Sequence, residues 1–215
     1  DELLPLSYTG HDNWGGMGVT LIDALDTLYL MGMSEEFSIA RDWIADHLHF
    51  EHVESVSVFE TTIRVLGGLL SAYDLSHDKL FLDKAIDLAD RLLPAFDTVS
   101  GVPSSQINLA NSHAERSWEV TSGILSEMGS LQLEFRYLSY LTRSSKYEMM
   151  SMKILYHLKS LNPKNGLFPS TLSAINGQFD GMTLTFGAGG DSFYEYLLKL
   201  WLQGEREESW LREMY

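Results

Sequence analysis

The sequence predicts an all-α chain of helix hairpins stacked into a curved repeat. Three observations predict it. Apolar residues recur at spacings of three and four, as in Phe81, Ala85, Leu88 and Leu92, or Ile124, Met128, Leu131, Phe135 and Leu138. A turn repeats: Leu75-Ser76-His77-Asp78-Lys79 returns as Leu141-Thr142-Arg143-Ser144-Ser145-Lys146, with Thr142 lying 66 residues after Ser76. The exits repeat as well, Gly101-Val102-Pro103 and Gly166-Leu167-Phe168-Pro169 lying 65 residues apart, and Gly204 opens a further copy 62 residues after Thr142. Helix pairs of this kind bury a shared core by stacking, and the stack curves into a solenoid or a closed ring.

The elements follow in order. Asp1 to Gly16 has no sustained period and reads as irregular, with His11-Asp12-Asn13-Trp14 either a polar sugar-facing cluster or, as a turn signal favours, structural turn. A helix is expected from about Met17 to Met31, with Asp23 and Asp26 on a solvated or locally hydrogen-bonded flank. Ser34 is the expected cap of a second helix, Glu35 to His49. Val53 to Val58 reads as a short strand leading into a helix that carries Glu60 and ends near Leu75. Asp78 opens the next helix, which Pro94 ends. Gln106 to Ser117 reads as a polar loop, and a long helix is expected over Val120–Leu141 with Tyr147–Leu161 as its partner. Gly177 to Gly190 reads as glycine-rich and strand-like, Ser192 to Leu202 as helix, and Glu205 to Tyr215 as the start of another. No asparagine stands in an Asn-x-Ser/Thr acceptor.

Composition narrows the function. With 15 Lys and Arg against 30 Asp and Glu the net charge is −15, which excludes a generic nucleic-acid backbone binder and suits a neutral or cationic ligand. Cysteine is absent, so disulfides contribute nothing. No apolar run reaches the roughly 18 residues that a membrane span needs.

The central stretch is Val58-Phe59-Glu60-Thr61-Thr62-Ile63-Arg64-Val65-Leu66-Gly67-Gly68. Phe59, Ile63, Leu66 and Leu70 mark one apolar face, and Glu60 and Arg64, at i and i+4, share a neighbouring one. An exposed Glu–Arg pair of this kind contributes only about 0.2–0.5 kcal/mol. Apolar flanks and the Gly67-Gly68 pair, which signals close approach of another element, favour a role in a wall instead. Asp191 likewise opens a helix, either as its N-cap or as a second carboxylate facing the ring axis with Glu60. Two carboxylates converging on one cavity are the minimal equipment for glycoside hydrolysis.

Phe59 to Tyr73 resembles the signature of the class I α-1,2-mannosidases, glycoside hydrolase family 47. The match continues in Leu21-Ile22-Asp23-Ala24-Leu25-Asp26-Thr27-Leu28 and in Asp191-Ser192-Phe193-Tyr194-Glu195-Tyr196-Leu197-Leu198-Lys199. The resemblance implies an all-α (αα)7 barrel of helix hairpins with short β-hairpin lead-ins. Residues 1–215 would be the N-terminal part of one such catalytic domain, about half of it, cut at Tyr215. The activity implied is Ca2+-dependent removal of α-1,2-linked mannose from high-mannose N-glycans with inversion. Glu60 matches the family's general acid, Asp191 its second essential carboxylate, and Arg64 and Glu127 its sugar ligands. The general base and the threonine that binds Ca2+ would lie in the other half, so no metal ligand is expected here, and the segment alone is expected to be inactive. Gly189 stands where some branches carry an arginine, which resembles the more permissive Golgi-like or fungal-like side of the family. The partners implied are a high-mannose oligosaccharide or glycoprotein and the remainder of the same domain, in the lumen of the endoplasmic reticulum or Golgi. The alternative is a non-catalytic glycan-binding quality-control protein on the same barrel.

Overall fold

The structure is a computed structural model that describes residues 1–114 and 122–215. The end of the expected polar loop and the expected helix start at Val120 lie outside the described residues. The chain forms two compact units, Asp1–Leu92 with Ile107–His113, and Leu93–Gln106 with Ala114–Tyr215.

The first unit opens with a hairpin where the sequence reads as irregular. Strands β1 (Glu2–Leu4) and β2 (Thr9–His11) pair antiparallel, Leu3 opposite Gly10. The single helix expected over Met17–Met31 is two pieces, α1 (Val19–Asp23) and α2 (Leu25–Leu30). They part at Ala24, whose φ of −91° and ψ of −6° lie off helical values. Next comes α3 (Ser34–His47), where Ser34 is the first helical residue rather than the cap and no side chain bonds the helix end. Glu35 and Glu36 in its first turn still suit the positive end of the helix dipole.

Strand β3 (Ser55–Ser57) is shorter than the sequence suggests, and Ser57 Oγ accepts the Glu60 N–H at 3.2 Å. That bond starts a continuous helical run: α4 (Val58–Glu60), a π-helical stretch Thr61–Leu66, and α5 (Gly67–Ser76). The wide π turn shifts the buried face. Val58, Thr62, Leu66 and Leu70 are buried at strict spacings of four, while Phe59 and Ile63 stay half-exposed. The helix runs straight through both glycines, and Gly68 shows why they are there. A Cβ on Gly68 would lie 2.7 Å from the Ile22 carbonyl oxygen of α1. Gly68→Ala is therefore expected to destabilise the protein by about 1–3 kcal/mol, because backbone must move to admit the methyl. A thermal midpoint equal to wild type would show that α1 yields freely.

Helix α6 (Lys79–Leu92) packs back on α5, its start held by Asp78, whose Oδ1 accepts the Leu80 N–H at 2.9 Å. Strands β4 (Gln106–Asn108) and β5 (His113–Ala114) then form a three-stranded sheet ordered β3-β4-β5 within the expected loop. Ile22, Leu25, Ile44, Leu69, Phe81 and Leu88 are fully buried and make the first core.

In the second unit the long helix expected to end at Leu141 does not form as one piece. Its place is taken by β6 (Ser122–Ile124), α7 (Leu125–Gly129) and α8 (Gln132–Thr142). Side chains hold the break open. Ser130 bonds the Ser126 carbonyl and the Ser192 hydroxyl. The buried Gln132 accepts the Leu131 N–H at 3.0 Å and donates to the Met128 and Ser151 carbonyls at 3.3 and 3.2 Å. The bonds to Leu131 and Met128 satisfy backbone groups that a straight helix would have paired.

Helix α9 (Lys146–Leu161) packs on α8, and β7 (Thr171–Ser173) pairs antiparallel with β6, Gly123 opposite Leu172. Gly177–Gly190 is not a strand; one bridge, Leu172 to Phe179, touches it. It leads to α10 (Asp191–Gln203) and α11 (Ser209–Met214), the third hairpin. Arg136, with its side chain 13% exposed, ties that hairpin to the previous one through Glu148 at 3.3 Å and Glu208 at 2.7 Å. Phe135, Leu138, Leu155, Leu158, Phe193, Leu197 and Leu200 fill this core.

The sequence repeat has a structural counterpart. His77 and Arg143 both adopt the left-handed conformation, at φ of 56° and 55°, and each ends a helix. Just before them, Ser76 Oγ donates to the Ala72 carbonyl at 2.6 Å and Thr142 Oγ1 to the Leu138 carbonyl at 2.7 Å. The same turn is thus built twice from different residues. Among the described residues no helix is long and apolar enough to cross a membrane.

Candidate functional site

In the first unit, α1 and the π-helical run form two walls of a cavity of about 530 Å³, lined by Trp14, Val19, Asp23, Glu60 and Arg64 among others. Glu60 and Arg64 meet as their spacing predicts. Arg64 Nε donates to Glu60 Oε2 at 2.7 Å. The third member was not read from the sequence: Arg64 Nη1 also donates to Asp23 Oδ2 at 3.3 Å, across 41 residues. Asp23 stays exposed and hydrogen-bonded, as its flank position suggests, but its partner comes from the far side of the cavity rather than from its own helix. Asp26, three residues on, points elsewhere and accepts the Ser71 hydroxyl at 3.0 Å. The family-like run around Asp23 was the only signal that could have marked it.

The electrostatics are those of a binding cluster rather than a structural tie. Side-chain exposures are 42% for Arg64, 32% for Glu60 and 44% for Asp23, so each pair contributes at most about 1 kcal/mol to stability. Burial works against the Arg64 charge, but the bonds and charges of Glu60 and Asp23 outweigh it and push its pKa up. A permanently charged guanidinium thus stands in an open acidic cavity, a donor fork suited to sugar hydroxyls.

Thr61, next to Glu60, is fully buried and its hydroxyl has no hydrogen-bond partner. A π-helical stretch and an unsatisfied buried group side by side are typical of functional positions, where local stability is given up for geometry. Thr61→Val, which keeps the shape and removes the orphan hydroxyl, is expected to leave stability unchanged or raise it by about 1 kcal/mol. A clear loss of thermal stability would show that the hydroxyl is bonded in the full-length protein.

In the second unit, Asp191 is the first residue of α10, exposed, and makes no capping bond to the helix; Gly190 holds the cap position. The capping alternative is therefore not realised. Asp191 lines a cavity of about 560 Å³ with Phe186, Tyr194, Glu195, Leu198, Lys199 and Tyr215. Glu127 lies in the first turn of α7. Its neighbour Ser126 is bonded on both sides of Asp191: the Ser126 N–H donates to the Gly189 carbonyl at 3.1 Å, and the Ser192 hydroxyl to the Ser126 carbonyl at 3.3 Å. The structure thus ties the backbone carrying Glu127 to the backbone carrying Asp191.

The fold class is all-α, of the α-α barrel kind. The chain superposes over its full length on 48% of an alpha-1,2-mannosidase from Trichoderma reesei, with a TM-score of 0.89 and 34% identity. Residues 1–215 match the family model of glycosyl hydrolase family 47, and the chain belongs to that family. It is 50% identical over 96% of its length to mannosyl-oligosaccharide 1,2-alpha-mannosidase MNS1 of Arabidopsis thaliana, and covers 37% of that protein. It is 46% identical over its whole length to the endoplasmic reticulum mannosyl-oligosaccharide 1,2-alpha-mannosidase of Homo sapiens, and covers 31% of it. The chain therefore spans about a third of the length of the curated relatives it matches.

Proposed function

We propose that the protein containing this chain is an inverting 1,2-α-mannosidase that trims high-mannose oligosaccharides, acting in the secretory pathway. The observation that carries the reading is the Glu60–Arg64–Asp23 cluster in the wall of an open cavity, where ion pairs of little structural worth are kept together. The names of relatives at 43–50% identity support the reaction and the linkage. Three of them are named for the endoplasmic reticulum, which supports the location.

In this reading Glu60 gives a proton to the glycosidic oxygen as the C1–O bond breaks, and that oxygen leaves as the hydroxyl of the shortened glycan. A water attacks C1 from the opposite face and loses its proton to a base supplied by the remainder of the domain. Arg64 occupies only Oε2 of Glu60 and so fixes the carboxyl while Oε1 transfers the proton. Arg64 and Glu127 grip the terminal sugar, and Asp191 is the second essential carboxylate. The family resemblance also implies Ca2+. Among the described residues no three His, Asp or Glu side chains converge as a metal cage, so none of them fits that ion and no step is assigned to it.

The test is mannose release from a high-mannose oligosaccharide by the full-length protein, with the anomer followed by proton NMR and with chelator in a parallel sample. First-formed β-mannose is the expected product, lost with the chelator. First-formed α-mannose would overturn inversion. Tight glycan binding without release by a folded sample would replace the reading with the non-catalytic, glycan-binding one.

A further inference from the structure

The loop between β2 and α1 is folded around a single carboxylate. The Asp1 side chain is fully buried, and four backbone N–H groups point at it. Oδ2 accepts from Trp14 at 2.8 Å and Gly16 at 3.0 Å; Oδ1 accepts from Gly18 at 2.7 Å and Val19 at 3.3 Å. The Asp1 carbonyl adds a bond from the Thr20 N–H at 3.3 Å. Convergence of so many amides requires unusual backbone, and Gly15, Gly16 and Gly18 supply it at φ of 69°, 74° and 68°. The carboxylate offers about four lone-pair sites, and these amides fill them.

The two ends of this loop, Trp14 and Val19, line the cavity that also contains Glu60, Arg64 and Asp23. We infer that Asp1 is a positioning residue for substrate, its carboxylate setting the Trp14–Val19 loop so that Trp14 lines the sugar cavity together with the Arg64 fork. The inference rests on that cavity being the sugar site. Its chemistry is direct. A hexose presents apolar C–H faces between polar edges, so an aromatic wall and a guanidinium grip complementary parts of it. Apart from the buried Met17 side chain, the loop is held through its backbone, since its three glycines contribute no side-chain packing and pay the largest entropy on ordering. Remove the charge, and Trp14 loses its fixed place while Glu60 and Arg64 keep theirs.

The experiment uses Asp1→Asn in the full-length protein. Asparagine keeps the volume but turns an NH2 toward amides that need an acceptor. The expected result is a KM for the oligosaccharide raised roughly tenfold or more with a smaller change in kcat, the pattern of lost substrate positioning. Backbone amides of residues 14–19 should exchange hydrogen faster, with the α5–α6 hairpin unchanged. Faster exchange with unchanged KM would overturn the inference, leaving Asp1 a purely structural anchor, and so would unchanged exchange. If Asp1→Asn does not fold, Trp14→Ala with Asp1 intact carries the test: the same rise in KM supports the inference and an unchanged KM sinks it. Wild-type protein that releases no mannose would defeat the reaction reading itself, and the inference with it. Wild-type release with unaltered variants defeats the positioning role alone.

Discussion

Glu60→Gln in the full-length protein is expected to lower kcat for mannose release by about 10²- to 10⁴-fold, the usual contribution of a positioned general acid. The substitution isolates the proton. Glutamine has the same length, and its amide oxygen can still accept from Arg64 Nε, so the 2.7 Å contact survives as a neutral hydrogen bond. Arg64 also keeps its second partner, Asp23. The lost ion pair is partly exposed, so stability should change by less than about 1 kcal/mol. KM should move little, because ground-state contacts remain. Near-wild-type kcat in a folded Gln variant would remove Glu60 from proton transfer and transfer the role to a carboxylate elsewhere in the domain.

The second large effect is on stability and lies away from that chemistry. Glu134 on α8 has a stem partly open to solvent, but its carboxyl is sealed inside. Oε1 accepts the Tyr196 hydroxyl of α10 at 2.8 Å, and Oε2 has no hydrogen-bond partner. Burial raises the Glu134 pKa from 4.5 to about 7, and the Tyr196 bond opposes the rise only in part. Tyr196 is itself pushed up, by burial first and then by the Glu134 charge, so it remains a neutral donor.

The direction of the pH dependence follows. A carboxyl with a raised folded-state pKa favours the fold in its neutral form. Its contribution is fully present below pH 4.5 and is lost as pH rises through about 7. At about 1.4 kcal/mol per unit, the loss amounts to about 3 kcal/mol. Glu134→Gln keeps the acceptor for Tyr196 and cannot ionise. The variant should match wild type near pH 4.5 and exceed it by about 3 kcal/mol at pH 8, by denaturant unfolding. A wild-type pH slope that persists unchanged in the Gln variant would show that the carboxyl is hydrated in solution.

Sequence and structure divide this protein along the range of the interactions concerned. What lies within one or two turns of helix was legible. The i, i+4 pair of Glu60 and Arg64 formed as its spacing requires, because residues four apart on a helix are neighbours whatever surrounds them. The hairpin repeat was legible too, since a helix must stop where its apolar stripe stops. His77 and Arg143 end their helices at matching places without a glycine to announce them. Gly67-Gly68 correctly signalled close approach, though not a break in the helix.

The long helix up to Leu141 failed for a different reason. Its apolar spacing is sound, but Ser130 bonds the Ser126 carbonyl and Gln132 bonds the Leu131 N–H and the Met128 carbonyl, so backbone groups at the break find side-chain partners. Periodicity reports which face is buried, and it does not report where backbone groups find partners. The π-helical stretch escaped for a similar reason, because the shift of the buried face from Phe59 and Ile63 to Val58 and Thr62 depends on what packs there.

By itself, then, the sequence determined an acidic, helical-hairpin member of its family with a Glu–Arg pair in a wall. Only the tertiary structure brought Asp23 to Arg64 across 41 residues, folded the glycine loop around Asp1, and sealed the Glu134 carboxyl against Tyr196 across 62. Each of these joins side chains that no local rule relates. Their partners are chosen by chain packing, where burial and the need to satisfy polar groups, rather than spacing, decide which residues meet.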